Sequence, residues 1–142
     1  MASQWVFITL TTVFYGLFNI FTRAAGPKIG NILGPLLLEG FAALILLLFF
    51  LGRRWNGSIE TATWSGVGFS LAAGFCAAAA SLALFVVFSR GGELSLAGSF
   101  IMIGSTLLTV LCGFILFKEP LTAHRVAGIV LGLISLFLLK ME

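Results

Sequence analysis

One carboxylate is notable because it lies inside an apolar run of the sequence. Glu39 occurs in the segment Leu38-Glu39-Gly40, near the middle of the second apolar run, and is the one ionisable residue well inside such a run. An ionised carboxylate at the centre of a bilayer costs on the order of 3 kcal/mol on insertion scales. Two interpretations are open. The carboxyl couples the movement of a proton or cation, or it is held neutral or hydrogen-bonded to a neighbouring helix for structure alone.

Uncharged polar side chains form a second group of candidates. Thr12, Tyr15 and Asn19 are spaced at i, i+3 and i+7, which predicts one helix face shared with Gly16. Such groups can line a substrate path, or they can form hydrogen bonds between helices and to their own backbone. In the fourth run, the same two interpretations apply to Ser99, Thr106 and Thr109. The candidates for substrate binding or proton coupling are therefore Glu39, Tyr15, Asn19, Thr12, Ser99 and Thr106.

Small residues suggest where helices pack. Gly128 and Gly132 form a GxxxG pair in the fifth run, which favours a close helix contact within the chain or across a dimer. Cys76 and Cys112 lie in apolar runs and are interpreted as small buried side chains. His124 has no second His or Cys placed to complete a metal site, so we expect neither a metal nor a cofactor.

The composition excludes several classes of protein. Of the 142 residues, 60% are hydrophobic and 9% are charged, against about 25% charged in an average soluble domain. So few charges cannot cover the surface of a small soluble domain, which argues against a soluble enzyme, a disordered regulator and a disulfide-stapled secreted domain. The eight basic residues are scattered, so no nucleic-acid interface is predicted. No nucleophile–base pair, metal cluster or phosphate loop indicates an enzyme.

The elements that must position these side chains are helices. Each apolar run approaches the roughly 20 residues that a spanning helix needs, and none alternates as a barrel strand does. The sequence thus predicts an all-α polytopic membrane protein, one domain over 1–142 that forms a bundle of five transmembrane helices. Their expected ranges are about 5–21, 31–51, 64–88, 94–117 and 122–139. Breaks fall at Gly26-Pro27, at 52–63, at the glycine turn 89–92 and at Lys118-Glu119-Pro120.

Five spans would place the two termini on opposite faces of the bilayer. An excess of Lys and Arg on one side normally sets the orientation of a membrane protein. Here each side carries four: Arg53, Arg54, Lys118 and Arg125 on the N-terminal side, and Arg23, Lys28, Arg90 and Lys140 on the other. The balance permits insertion in both orientations, and hence an antiparallel homodimer.

The second half of the chain resembles a known transporter domain. The segments Gly92-Glu93-Leu94-Ser95, Phe117-Lys118-Glu119-Pro120-Leu121 and Gly128-Ile-Val-Leu-Gly132 are similar to the C-terminal part of an EamA domain, which belongs to the drug/metabolite transporter superfamily. The segment Tyr15-Gly16-Leu17-Phe18-Asn19 is similar to the aromatic-glycine pattern of that family's first helix. Because most relatives join two such domains in one chain, the resemblance implies a half-size member.

The resemblance and the residues together imply a function. We expect a small integral-membrane transporter, in the bacterial inner (plasma) membrane, that moves a metabolite or an amphipathic cation by alternating access. We expect it to work as an antiparallel homodimer. Its partners would be the lipid bilayer, a small-molecule substrate and a second copy of the chain. Two alternatives stay open: a flippase subunit for a lipid-linked head group, and a non-transporting subunit of a membrane complex.

Overall fold

The structure is a computed structural model that describes residues 2–55, 57, 61–120 and 122–141. Its five α-helices are α1 (Ala2–Ala25), α2 (Leu33–Trp55), α3 (Trp64–Ser89), α4 (Leu94–Phe117) and α5 (Ala123–Lys140). A short 3-10 helix, Gly26–Lys28, follows α1. Over the described residues there is no strand, which confirms the predicted all-α class.

Four helices are long and apolar enough to cross a membrane. The candidate spans are Gln4–Lys28, Leu33–Trp55, Trp64–Ser89 and Leu94–Phe117, whereas the apolar part of α5, Ala123–Leu138, is shorter. In the most apolar 18-residue stretch of α4 no residue is buried. Apolar surface on this scale is typical of an integral membrane protein, since water-soluble monomers rarely expose it.

Two helices are longer than their apolar runs. The last turn of α2 contains Arg53 and Arg54, and the last turn of α1 contains Arg23. Basic side chains are favourable at a helix C-terminus, where they complement the helix dipole, and their long stems reach towards the interface. Helix boundaries therefore extend beyond the points where hydrophobicity stops.

The chain divides into two compact units, Met1–Gly91 and Gly92–Glu142. The first unit contains α1, the 3-10 helix, α2 and α3, and its core contains the buried Leu84, Phe85 and Phe88 of α3. Two glycines make this packing possible. A Cβ on Gly26 would lie 2.7 Å from the Phe88 Cβ, and a Cβ on Gly34 would overlap the Phe85 ring.

The second unit is a helical hairpin of α4 and α5. Lys118 ends α4 with a left-handed backbone, φ 52°, and the Glu119 N–H donates to the Gly113 carbonyl at 3.1 Å. Thr122 caps α5, because its hydroxyl accepts from the Arg125 N–H at 3.4 Å. Pro120 precedes α5 and does not form its first turn.

Candidate functional site

The main candidate site of the first unit is a hydrogen bond between two apolar helices. The Ser81 hydroxyl on α3 donates to Glu39 Oε1 on α2, at 2.5 Å. Ser81 is buried and Glu39 is half-buried. A carboxyl with a fixed hydroxyl donor, set between two such helices, is able to bind a cation or exchange a proton.

The register of α2 and α3 explains why these two side chains meet. Gly34 on α2 lies against Phe85 on α3. Glu39 follows Gly34 by five residues on α2, whereas its partner Ser81 precedes Phe85 by four residues on α3. The two pairs run in opposite chain directions, so the helices are antiparallel. The Gly34–Phe85 contact thus fixes the register that places Glu39 against Ser81.

Glu39 lies closer to a helix end than its sequence position suggests. Because α2 begins at Leu33 and continues to Trp55, Glu39 is six residues from the start, about 9 Å along the axis. The expectation that it lies near the middle of this helix is wrong. The reason is that the basic last turn, with Arg53 and Arg54, extends α2 beyond the apolar run.

A groove of about 580 Å³ lies in the same unit. Its walls are mostly aromatic and aliphatic, with Phe18 and Phe21 from α1, Phe41 from α2 and Phe85 from α3. Leu38, the neighbour of Glu39 in sequence, lines the groove, whereas Glu39 itself does not. The groove offers apolar and aromatic contacts to a small molecule, and part of its wall belongs to α2, the helix that carries Glu39.

Two of the three polar side chains predicted to share a face of α1, those of Thr12 and Asn19, form hydrogen bonds within their own helix. The Thr12 hydroxyl donates to the Ile8 carbonyl at 2.9 Å, and the Asn19 amide donates to the Tyr15 carbonyl at 3.0 Å. The Tyr15 and Phe18 rings lie 5.5 Å apart, centroid to centroid. These contacts do not join that face of α1 to Glu39, and its role in substrate binding stays a prediction.

The candidates on α4 and α5 belong to the second unit. The Thr106 hydroxyl donates to the Met102 carbonyl and that of Thr109 to the Ser105 carbonyl, each at 2.8 Å, as expected for hydroxyls that bond one turn back. Ser99 is half-buried. Thr106 and Thr109 also line a groove of about 780 Å³ between α4 and α5.

The GxxxG pair lies on the side of α5 that meets α4. A Cβ on Gly132 would lie 3.4 Å from Ile103 Cγ2, whereas Gly128 has open space around it. Both glycines line the groove of the second unit. Gly132 therefore serves a contact within the chain, and a role in a dimer stays a prediction.

Two features of the site could not be found by sequence reasoning. Ser81 ends an Ala-rich segment, Ala77–Ser81, and only the helix register shows that it faces Glu39. The Glu119 and Arg125 side chains form an ion pair at 3.4 Å at one end of the hairpin groove. This ion pair is hard to predict from the sequence, because Glu119 and Arg125 are six residues apart across a Pro-containing turn and do not form a helical i, i+4 pair.

The described residues contain neither a cluster of metal ligands nor a disulfide. Within them, no group of three or more His, Cys, Asp or Glu residues could hold a metal ion. Cys76 and Cys112 are free thiols. The expectation that both are buried is wrong, because Cys76 is exposed and Cys112 is half-buried. An apolar run predicts burial in a protein core or in lipid, and Cys76 lies on the outer surface of α3.

Comparisons with known proteins leave the family undecided. No protein-family model matches the chain, and neither a curated protein nor a solved structure matches it.

Proposed function

We propose that the chain is a polytopic membrane protein whose five helices form a small transporter, a half-size relative of EamA domains in the drug/metabolite transporter superfamily. It moves a metabolite or an amphipathic cation by alternating access across a bacterial inner membrane. The resemblance of the α4–α5 segments supports the family and the location. The four long apolar helices support the membrane setting.

The observation that carries the proposal is the Glu39–Ser81 hydrogen bond between α2 and α3. Ionisable side chains within spanning helices are rare, and by default they indicate an ion pathway or a proton relay. Ser81 gives the Glu39 carboxyl one fixed partner, and half-burial leaves it accessible to a second. This arrangement suits a group that exchanges a proton for a cationic substrate.

The working unit that we propose is an antiparallel homodimer. Transporters commonly pair two repeats of inverted topology around a site near the bilayer midplane. One chain with five spans supplies one such repeat, and a copy inserted the other way supplies its inverted partner. The four-against-four distribution of basic residues supports this, since it favours neither orientation.

Reconstituted uptake tests the proposed function directly. Purified protein in proteoliposomes is assayed with tetraphenylphosphonium as an amphipathic-cation probe and with a panel of labelled metabolites. Glu39→Gln keeps the acceptor for Ser81 but cannot ionise, so we expect it to fold and to lose at least tenfold in proton-driven uptake. Because the variant has no carboxyl proton to exchange at this position, its residual uptake should not vary with pH.

The matched control is Glu93→Gln. Glu93 precedes α4, is exposed, and makes no side-chain capping bond, so this change removes the same charge outside the proposed site. We expect wild-type uptake from it. Normal, pH-dependent uptake by Glu39→Gln would show that the carboxyl is structural, and the lack of uptake of any probe by the wild type would favour a flippase or a non-transporting subunit.

A further inference from the structure

The groove between α4 and α5 has a charged end and an apolar body. At one end lie Glu119, just after α4, and Arg125, in the first turn of α5. Apolar side chains such as Ile103, Val110 and Phe114 line most of its length. The groove is thus amphipathic along its axis, and so is the ligand that would fit it.

The Glu119–Arg125 ion pair at the charged end of the groove is accessible to further partners. Arg125 Nη1 donates to Glu119 Oε2 at 3.4 Å and to the Pro120 carbonyl at 3.2 Å. A guanidinium has five N–H donors. Among the described residues, Arg125 Nε and Nη2 make no hydrogen bond and so can bind an anion, and Glu119 Oε1 likewise can bind a cation. The two side chains are 52% and 58% exposed. A fixed, accessible pair of opposite charges is complementary to a zwitterion.

Gly128 leaves part of the body of the groove free for a chain-like occupant, because no atom lies near the position of a Cβ. At Gly113 the Glu119 carboxylate lies 3.5 Å from the position of a Cβ, and at Gly132 that position is 3.4 Å from Ile103 Cγ2. The lining of α4 extends from Ile103 to Phe117, about 21 Å along the helix axis. Half of the hydrocarbon core of a bilayer measures about 15 Å. One acyl chain of a single leaflet therefore fits lengthwise.

We propose that this groove binds a zwitterionic phospholipid with a primary ammonium head group, with the phosphate on Arg125, the ammonium on Glu119 and one acyl chain between α4 and α5. Basic side chains between membrane helices are known to hold lipid head groups. The inference requires that the chain lies in a membrane. It does not require transport or the Glu39 site.

Native mass spectrometry of the detergent-purified full chain tests the assignment, with dioleoyl phosphatidylethanolamine and dioleoyl phosphatidylcholine as probes. Both lipids carry the phosphate, but only the first has ammonium N–H donors for Glu119. We expect about tenfold tighter retention of the ethanolamine lipid, the value of one charge-assisted hydrogen bond. Equal retention of the two lipids by the wild type would overturn the proposal.

Three variants separate the parts of the site. Glu119→Gln should remove the preference for the ethanolamine lipid, so that the two lipids are retained equally, and the remaining retention through Arg125 shows that the hairpin is folded. Arg125→Gln should weaken both lipids alike, by tenfold or more. Gly128→Leu should fill the groove and displace both. Its control is Gly104→Leu, on α4, where a Cβ also meets open space but the residue does not line the groove.

Other outcomes exclude the assignment clearly. If Gly128→Leu converts a dimer into a monomer but leaves lipid retention unchanged, the groove is an interface between copies and the proposal is wrong. If Arg125→Gln retains both lipids as the wild type does, the head group does not bind there. The Glu39→Gln variant, which we expect to be deficient in transport, should keep the full preference for the ethanolamine lipid. Lipid retention and uptake are therefore tested separately, and either proposal can fail without the other.

Discussion

At the scale of single residues, the Glu39–Ser81 hydrogen bond affects both the stability of the protein and the position of the carboxyl. A buried hydroxyl that donates to a carboxyl on another helix contributes modestly to stability, about 0.6 kcal/mol on average and up to about 1.7 kcal/mol in membrane proteins. In the proposed transport cycle its larger effect is on geometry, because it fixes where the carboxyl would meet a proton or a cation. Ser81 is therefore a positioning residue in the proposed transport cycle.

Removal of the Ser81 hydroxyl separates these two effects. We expect Ser81→Ala to lower the free energy of unfolding in detergent by about 1 kcal/mol and to lower uptake by a larger factor than this loss explains. Ser70→Ala on the same helix is the control, since Ser70 is exposed. Equal uptake by the two alanine variants would show that Ser81 has no role in transport.

Close packing at Gly34 supports the pair from one turn away. Gly34→Ala would place a Cβ inside the Phe85 ring, and overpacking of this kind costs about 1–3 kcal/mol. We expect a loss of stability in that range, measured by unfolding in detergent, together with lower uptake as α2 moves away from α3. Gly40→Ala, on the same helix but with open space around its Cβ, should be neutral or stabilising. A Gly34→Ala protein as stable as the wild type would contradict the packing described here.

How far the sequence predicts the site depends on whether a feature is local. The position of Glu39 within an apolar run is visible in the sequence, because hydropathy is a property of neighbouring residues. Its partner Ser81 is 42 positions away, and the pairing depends on helix register, which is set by the Gly34–Phe85 contact. No periodicity in the sequence contains that information.

At the scale of elements, hydropathy predicts the positions of the helices more accurately than it predicts their ends. The α4 range is the one expected, because Glu93 and Lys118 flank it directly. The α2 range differs by two residues at the start and four at the end, because basic residues in a final turn belong to the helix but not to the apolar run. Helix number is therefore predictable here, and helix depth, which decides the position of Glu39, is less so.

The length of α5 decides the topology. Its 18 residues extend about 27 Å, close to the roughly 30 Å of the hydrocarbon core. We expect α5 to cross the membrane, since the interfacial residues at its ends can make up the small difference. The termini would then lie on opposite faces.

Compartment-specific reporters fused to each terminus check this expectation. The reporters are fused to a variant with two lysines inserted next to Trp55, which fixes one orientation of the protein in the membrane. A variant with two glutamines inserted at the same place is the control. We expect the N-terminal reporter inside and the C-terminal reporter outside. The same compartment for both termini would show four spans, with α5 lying at the interface.

At the scale of the whole molecule, the chain consists of two compact units and a balanced distribution of charge. The first unit carries the carboxyl and an aromatic groove, and the second carries the amphipathic groove of the hairpin. The balance, four basic residues on each predicted side, is a property of the complete chain that no single helix shows. It allows one sequence to supply both halves of an inverted pair.

In the proposed transporter two oppositely oriented copies work together, and complementation between two variants of fixed orientation tests this arrangement. Two lysines inserted near Arg54 should retain the second loop inside, and two inserted near Lys28 should retain the first loop inside, so each variant adopts one orientation. Uptake is measured in cells that express either variant alone or both together. We predict no uptake from either variant alone and restored uptake from the pair. Full uptake from one variant expressed alone would contradict the antiparallel homodimer.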